Sequence, residues 1–205
     1  MRASLKEGIV QSWAVDLARA AHLVSGATRL PLLAVPLFLL VGVAVAGWTG
    51  IAWALLCLFL TSGLSLLYLF YLTRTGKVRD PGRILKGERV GPLWTVAMLH
   101  AGAWGVVTLL GAPAPLRAVL LSYALSTLAF ALLTPFVKIS LHTAGVSGAL
   151  ICLLFVFAWG AIFFVPVLPL VWWARHFLGR HTHPELALGA LVGSGLTWVA
   201  FRLVA

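Results

Sequence analysis

Apolar residues come in long unbroken runs along this chain, and polar residues gather in the gaps between them. Pro31 to Trp48 and Thr49 to Leu72 carry no charge and meet at a Trp-Thr-Gly sequence that suits a tight turn. A basic loop follows from Arg74 to Gly91. Pro92 to Leu110 is apolar apart from His100, and the Gly-Ala-Pro-Ala-Pro stretch at 111–115 interrupts it. Ala118 to Val137 is the next run, closed by Lys138-Ile-Ser-Leu-His142. A membrane-spanning helix needs about 20 mainly apolar residues, so each of these runs predicts a span. Thr143 to Ala174 holds no charge and is too long for one upright helix. Gly160, Pro166 and Pro169 interrupt it, which predicts a hairpin of two short helices. After a polar segment from Arg175 to Glu185, Leu186 to Phe201 forms the last run. The expectation is an all-α polytopic bundle of about seven spans, forming one domain over residues 29–205.

Residues 1–28 follow a different pattern. Leu5, Ile9, Trp13, Leu17 and Val24 recur near helical spacing, opposite Lys6, Asp16 and Arg19. That arrangement predicts an amphipathic helix lying on the membrane surface. The Ala44-Val45-Ala46 triplet imitates a signal cleavage site, but the polar-rich residues ahead of the apolar core argue for keeping the first span.

Composition agrees with this class. The 205 residues are 61% hydrophobic and 10% charged, with a mean hydropathy of +1.04, far from the balance of a soluble domain. Cys57 and Cys152 both lie inside apolar runs and read as buried small residues. The net charge of +10 would suggest nucleic acid in a soluble protein. Here the cations lie between spans, where topology and anionic headgroups account for them and no nucleic-acid partner is expected. With a cytoplasmic N-terminus, all Lys and Arg except Arg117 and Arg202 fall on the inner side, so the positive-inside rule favours N-in and C-out. Only five acids occur, and Asp80 and Glu88 are the closest pair. Magnesium-dependent lipid chemistry needs carboxylate clusters, so neither metal nor cofactor is expected.

In that topology the 74–91 loop, residues 138–142 and residues 175–185 share the cytoplasmic face. Ionisable groups at a membrane boundary are functional candidates. The third segment contains Arg175-x5-His181-x3-Glu185-x3-Gly189. A helix starting near Thr182 would set Glu185 one turn beyond His181, on the same face. A carboxylate bonded to one imidazole nitrogen leaves the other free as a nucleophile. Gly189 and Gly193, four apart, permit close helix packing. The second segment adds Lys138, Ser140 and His142. Two histidines with several cations suit phosphoryl transfer: one attacks, the other protonates the leaving oxygen, and the cations hold the phosphate oxygens.

These residues resemble the type 2 phosphatidic acid phosphatase (PAP2) superfamily of membrane lipid phosphatases. Its third signature, Ser-Arg-x5-His-x3-Asp, is matched at Arg175, His181 and, with Glu for Asp, Glu185; Ala174 replaces the serine. Its second, Pro-Ser-Gly-His, is matched at Ser140 and His142. Its first, Lys-x6-Arg-Pro, is approached by Arg83-x5-Arg89 with Pro92, and Lys86 is a further candidate. The resemblance covers residues 74–193. It implies metal-independent hydrolysis of a lipid phosphate or diphosphate through a phosphohistidine. His181 would be the nucleophile, Glu185 its orienter and His142 the general acid. Arg175, Ser140, Lys138, Arg83, Lys86 and Arg89 would hold the phosphate.

Two other readings stand beside this one. A PAP2-like protein without catalysis would bind lipid as a scaffold. Gly145-Val-Ser147-Gly148, with histidines two spans later, also looks like a rhomboid intramembrane serine protease with Ser147 as nucleophile, although small residues that let helices pack explain the same string. His100 reads as a hydrogen-bonded packing histidine, and His176 and His183 as interfacial.

Overall fold

A computed structural model describes residues 2–78 and 86–205, with side chains described for 15–78 and 90–205. The described residues form helices α1 (Arg2–Ala27), α2 (Leu30–Leu58), α3 (Leu64–Arg74), α4 (Lys86–Leu109), α5 (Ala114–Leu133), α6 (Leu141–Phe157), α7 (Val167–Phe177) and α8 (His183–Val204). A π-helical turn, Phe59–Gly63, joins α2 to α3, and a 3₁₀ segment, Ala158–Phe164, precedes α7. Five stretches are long and apolar enough to cross a membrane: Leu30–Arg74, Val90–Leu109, Ala114–Leu133, Leu141–Phe164 and His183–Val204. In a bilayer interior, helices satisfy every backbone polar group internally, which is why apolar runs of this length adopt them. The protein is accordingly an all-helical membrane protein.

Two of the five stretches fold back on themselves. Within α2, Ala46 and Gly47 leave the helical region, with Gly47 at φ +56°. The backbones of Gly42 and Gly50 touch, so closely that a Cβ on either would collide with the other. A straight helix would hold those residues about 12 Å apart. The reversal lies at Ala46–Gly47, just ahead of the expected Trp-Thr-Gly turn, because glycine alone takes positive φ without steric cost. The second reversal follows α6, at Ala158, whose φ is +49°. His142 at the start of α6 and Arg175 near the end of α7 both bond to Ser25, so the chain between them doubles back. The break falls earlier than Gly160 and the two prolines suggest. Pro166 instead caps the start of α7, and Pro169 lies in its first turn, where a missing N–H costs nothing.

Proline also moves the bounds of α5. Pro115 sits near its first turn, so the helix begins at Ala114 and not after the Pro-containing stretch. Pro135 has no N–H for the helix ladder, and α5 ends at Leu133, ahead of the expected Val137.

At the centre α8 packs against both α5 and α6, and α4 pairs with α5. A Cβ on Gly193 would strike the Ala144 carbonyl, and one on Gly189 would strike the Ser140 carbonyl. These two glycines are what let the α6 and α8 backbones meet, as their spacing predicts. Three polar contacts zip the pair along its length. The Ser140 amide donates to the Glu185 carbonyl at 3.3 Å, Thr143 Oγ1 to the Leu186 carbonyl at 3.0 Å, and Ser147 Oγ to the Ala190 carbonyl at 2.9 Å.

Helix α1 packs along α7, with Ala21 and Ser25 buried. Over the described side chains its contact face is one of small residues, while those of Leu5, Ile9 and Trp13 lie outside the described residues. Leu17 and Leu23 face outward, as do Asp16 and Arg19, which pair at 3.7 Å.

Candidate active site

The site is assembled by the α6–α8 zipper and the α6–α7 reversal. Ser140 caps α6, its Oγ accepting from the Thr143 amide at 3.4 Å, and this sets His142 in the helix's first turn. Thr182 caps α8 in a capping box with Glu185, which holds the residue just before the cap, His181, against the helix start.

Glu185 Oε2 is the hub of the α8 entrance. It accepts from His181 Nδ1 at 2.9 Å and from the Thr182 amide at 3.2 Å, and Lys138 Nζ lies 3.5 Å away. A carboxylate can only accept, so Nδ1 carries the imidazole proton and the Nε2 lone pair is left available. His181 is buried, with 8% of its surface exposed. That burial pushes its pKa down to about 4; Glu185 opposes the shift, while Arg175 and Lys138 reinforce it. The ring is therefore neutral over the physiological range.

His142 is prepared the opposite way. Its Nε2 lies 3.2 Å from the Ser25 carbonyl oxygen, which only accepts, so Nε2 carries the proton. Arg175, His181 and Arg29 all lie within electrostatic range of His142. Arg175 Nη1 donates to Ser25 Oγ at 2.8 Å. Among the described residues, three cations, Arg29, Lys138 and Arg175, thus lie around the two histidines against one carboxylate, Glu185. Such an excess suits a doubly charged oxyanion.

The structure brings together His142, Arg175, His181, Glu185 and Lys138. Lys138 serves the α8 entrance, donating to the Arg180 carbonyl at 2.7 Å besides facing Glu185. Ser140 is fully buried, and its oxygen is engaged as a helix cap. Arg83 lies outside the described residues. Lys86 and Arg89 begin α4, but their side chains also lie outside them.

Ser147 has different surroundings. Its hydroxyl is buried and donates to the Ala144 and Ala190 carbonyls. Gly145 packs on Leu30, and Gly148 packs on Thr197. The Gly-x-Ser-Gly string is therefore occupied in helix packing. His100 also packs internally, between Ser65 Oγ at 3.4 Å and Thr127 Oγ1 at 3.3 Å. His176 and His183 stack with centroids 3.9 Å apart, and Trp172 Nε1 donates to His183 Nδ1. With Leu168, Pro169 and Trp173 they line an apolar groove of about 430 Å³. It adjoins the site, since His176 Nδ1 lies 3.3 Å from the His181 carbonyl.

Sequence reasoning missed two residues of the site, Arg29 and, above all, Ser25. Ser25 belongs to no motif and lies 117 positions from His142. The one available signal was its place four residues after Ala21 on the small-residue face of α1.

No family model, curated protein or solved structure matches this chain.

Proposed function

We propose that the protein is a membrane phosphatase that hydrolyses a lipid phosphate or diphosphate through a phosphohistidine, in the manner of the PAP2 superfamily. One observation carries the reading: the two histidines face Arg175 with complementary protons. His181 presents a bare Nε2, and His142 presents an Nε2–H. In the first step the His181 Nε2 lone pair attacks phosphorus, and the bond from phosphorus to the lipid oxygen breaks. That oxygen takes the Nε2 proton of His142, which is the imidazolium when the phosphate dianion is bound and becomes neutral imidazole as it donates, and leaves as the alcohol, or as the lipid monophosphate when the substrate is a diphosphate. In the second step His142, now able to accept, removes a proton from water. The water oxygen attacks phosphorus, the P–N bond breaks, and inorganic phosphate leaves with His181 neutral again. Arg175 and Arg29 hold the equatorial oxygens in both steps.

The two chain reversals turn the five apolar stretches into seven crossings. The N-terminus is cytoplasmic under the positive-inside rule, and the site lies at the cytoplasmic boundary. The lipid tail runs along the apolar groove beside α7.

The test is phosphate release in detergent with EDTA present, from phosphatidate, phosphatidylglycerophosphate and polyprenyl diphosphates. Wild type is compared with His181→Ala. The expected result is release that survives EDTA and is lost in the variant. Equal release from both proteins, or none from either, overturns the reading, and the second outcome favours a lipid-binding scaffold.

A further inference from the structure

The Ser25 contacts join α1 to the site through the very donors that a phosphate would need. Ser25 is 8% exposed and offers two oxygens, one to each donor. Its carbonyl takes the His142 Nε2–H, and its Oγ takes an Arg175 Nη1–H. The carbonyl belongs to the last turn of a helix, where carbonyls lack donors from their own helix. Val24 O is met by Thr28, and Gly26 O by Arg29. Ser25 O, between them, is met by His142 from a different helix.

We propose that Ser25 is an internal stand-in for a phosphoryl group: the end of α1 fills an oxyanion seat between His142 and Arg175, and a tetrahedral oxyanion binds there by displacing it. The ligand is either free phosphate or the phosphate of a lipid headgroup. The class of ligand rests on the phosphatase reading, but the seat itself is defined by geometry. An internal ligand lowers the apparent affinity of an external one by the fraction of molecules in which the seat is filled. Helix α1 thus acts as a plug, held by two hydrogen bonds and by its small-residue face on α7.

The experiment reads binding and not turnover. Amide hydrogen exchange across residues 21–29 of the full-length protein is followed in nanodiscs with inorganic phosphate, and separately in nanodiscs that contain phosphatidate. Loss of protection with free phosphate identifies the ion as the displacing ligand, and loss only with phosphatidate identifies the headgroup; either result supports the plug. No change with either ligand overturns it. Ser25→Ala removes the hydroxyl that competes for Arg175 Nη1 and is expected to tighten binding of the displacing ligand severalfold. Ser25→Asp sets a carboxylate against Arg175 and is expected to weaken it by about tenfold or more. Weaker binding by Ser25→Ala would make Ser25 a ligand of the phosphate and overturn displacement, as would unchanged binding by Ser25→Asp. Failure of the phosphatase reading looks different: phosphate release would be absent or would survive His181→Ala, while displacement of α1 persisted.

Discussion

His181 Nδ1 lies 2.9 Å from Glu185 Oε2, across one turn at the entrance to α8. The same oxygen accepts the Thr182 amide of the capping box, so the group that starts the helix also sets the tautomer of the histidine ahead of it. Glu is longer than the Asp of the PAP2 signature by one methylene. Here one carboxylate oxygen meets both the ring and the cap.

Glu185→Gln keeps a carbonyl oxygen for the cap but no longer stabilises a cationic ring or enforces the Nδ1–H tautomer. Phosphate release is expected to fall roughly 10²-fold in kcat, with KM little changed. Steady-state kinetics on the preferred lipid check this, and an equal change in KM would assign Glu185 to binding.

A neutral His181 is required for attack, and its pKa of about 4 places the acid limb of the rate there. The sign for stability follows. A folded-state value below the unfolded 6.5 means that the unfolded chain binds more protons between the two. The contribution is therefore complete above about pH 6.5 and is lost as pH falls toward 4. Histidine-resolved NMR titration of His181 checks the value, and an inflection near 6.5 would contradict the burial seen here.

Ser147→Ala removes one hydroxyl from the α6–α8 zipper. A loss of about 0.6 kcal/mol of stability is expected, the average for such bonds in membrane bundles, with phosphate release unchanged. Unfolding in a denaturing detergent measures the first, and loss of activity would revive Ser147 as a nucleophile.

Gly193→Ala places a methyl against the Ala144 carbonyl. Forcing α6 and α8 apart is expected to cost about 1–3 kcal/mol and to separate His142 from His181, lowering kcat along with stability. Gly195→Ala serves as the control, because nothing lies within 4 Å of its added methyl.

Cysteines placed at His22 and Trp159 report the topology. Both positions are exposed, and the native Cys57 and Cys152 are buried, so background labelling is low. A membrane-impermeant thiol reagent added to intact cells is expected to label position 159 and spare 22. Labelling of both from one side would mean that α6 does not cross the membrane.

The helical membrane class, the close approach at Gly189 and Gly193, and the pairing of His181 with Glu185 were all legible along the chain. Each depends on residues that interact at helical spacing or on the apolarity of one continuous run, and such information is local. The places where the chain turns back were legible less sharply. Positive φ at Gly47 falls where glycine bears it freely, but at Ala158 it falls on a residue that bears it at a cost, two positions ahead of Gly160, so helix packing and not the nearest glycine or proline sets that turn. Lys138 and Ser140 read as phosphate ligands in sequence, yet tertiary packing engages one with the α8 entrance and the other as the cap of α6. Ser25 was invisible, because a small hydroxyl on a small-residue face announces packing and nothing more. Its carbonyl and hydroxyl meet His142 and Arg175 only because the α6–α7 reversal and the docking of α1 on α7 bring three distant segments to one point. Contacts of that kind depend on how whole helices are placed, and no pattern within a single segment encodes them.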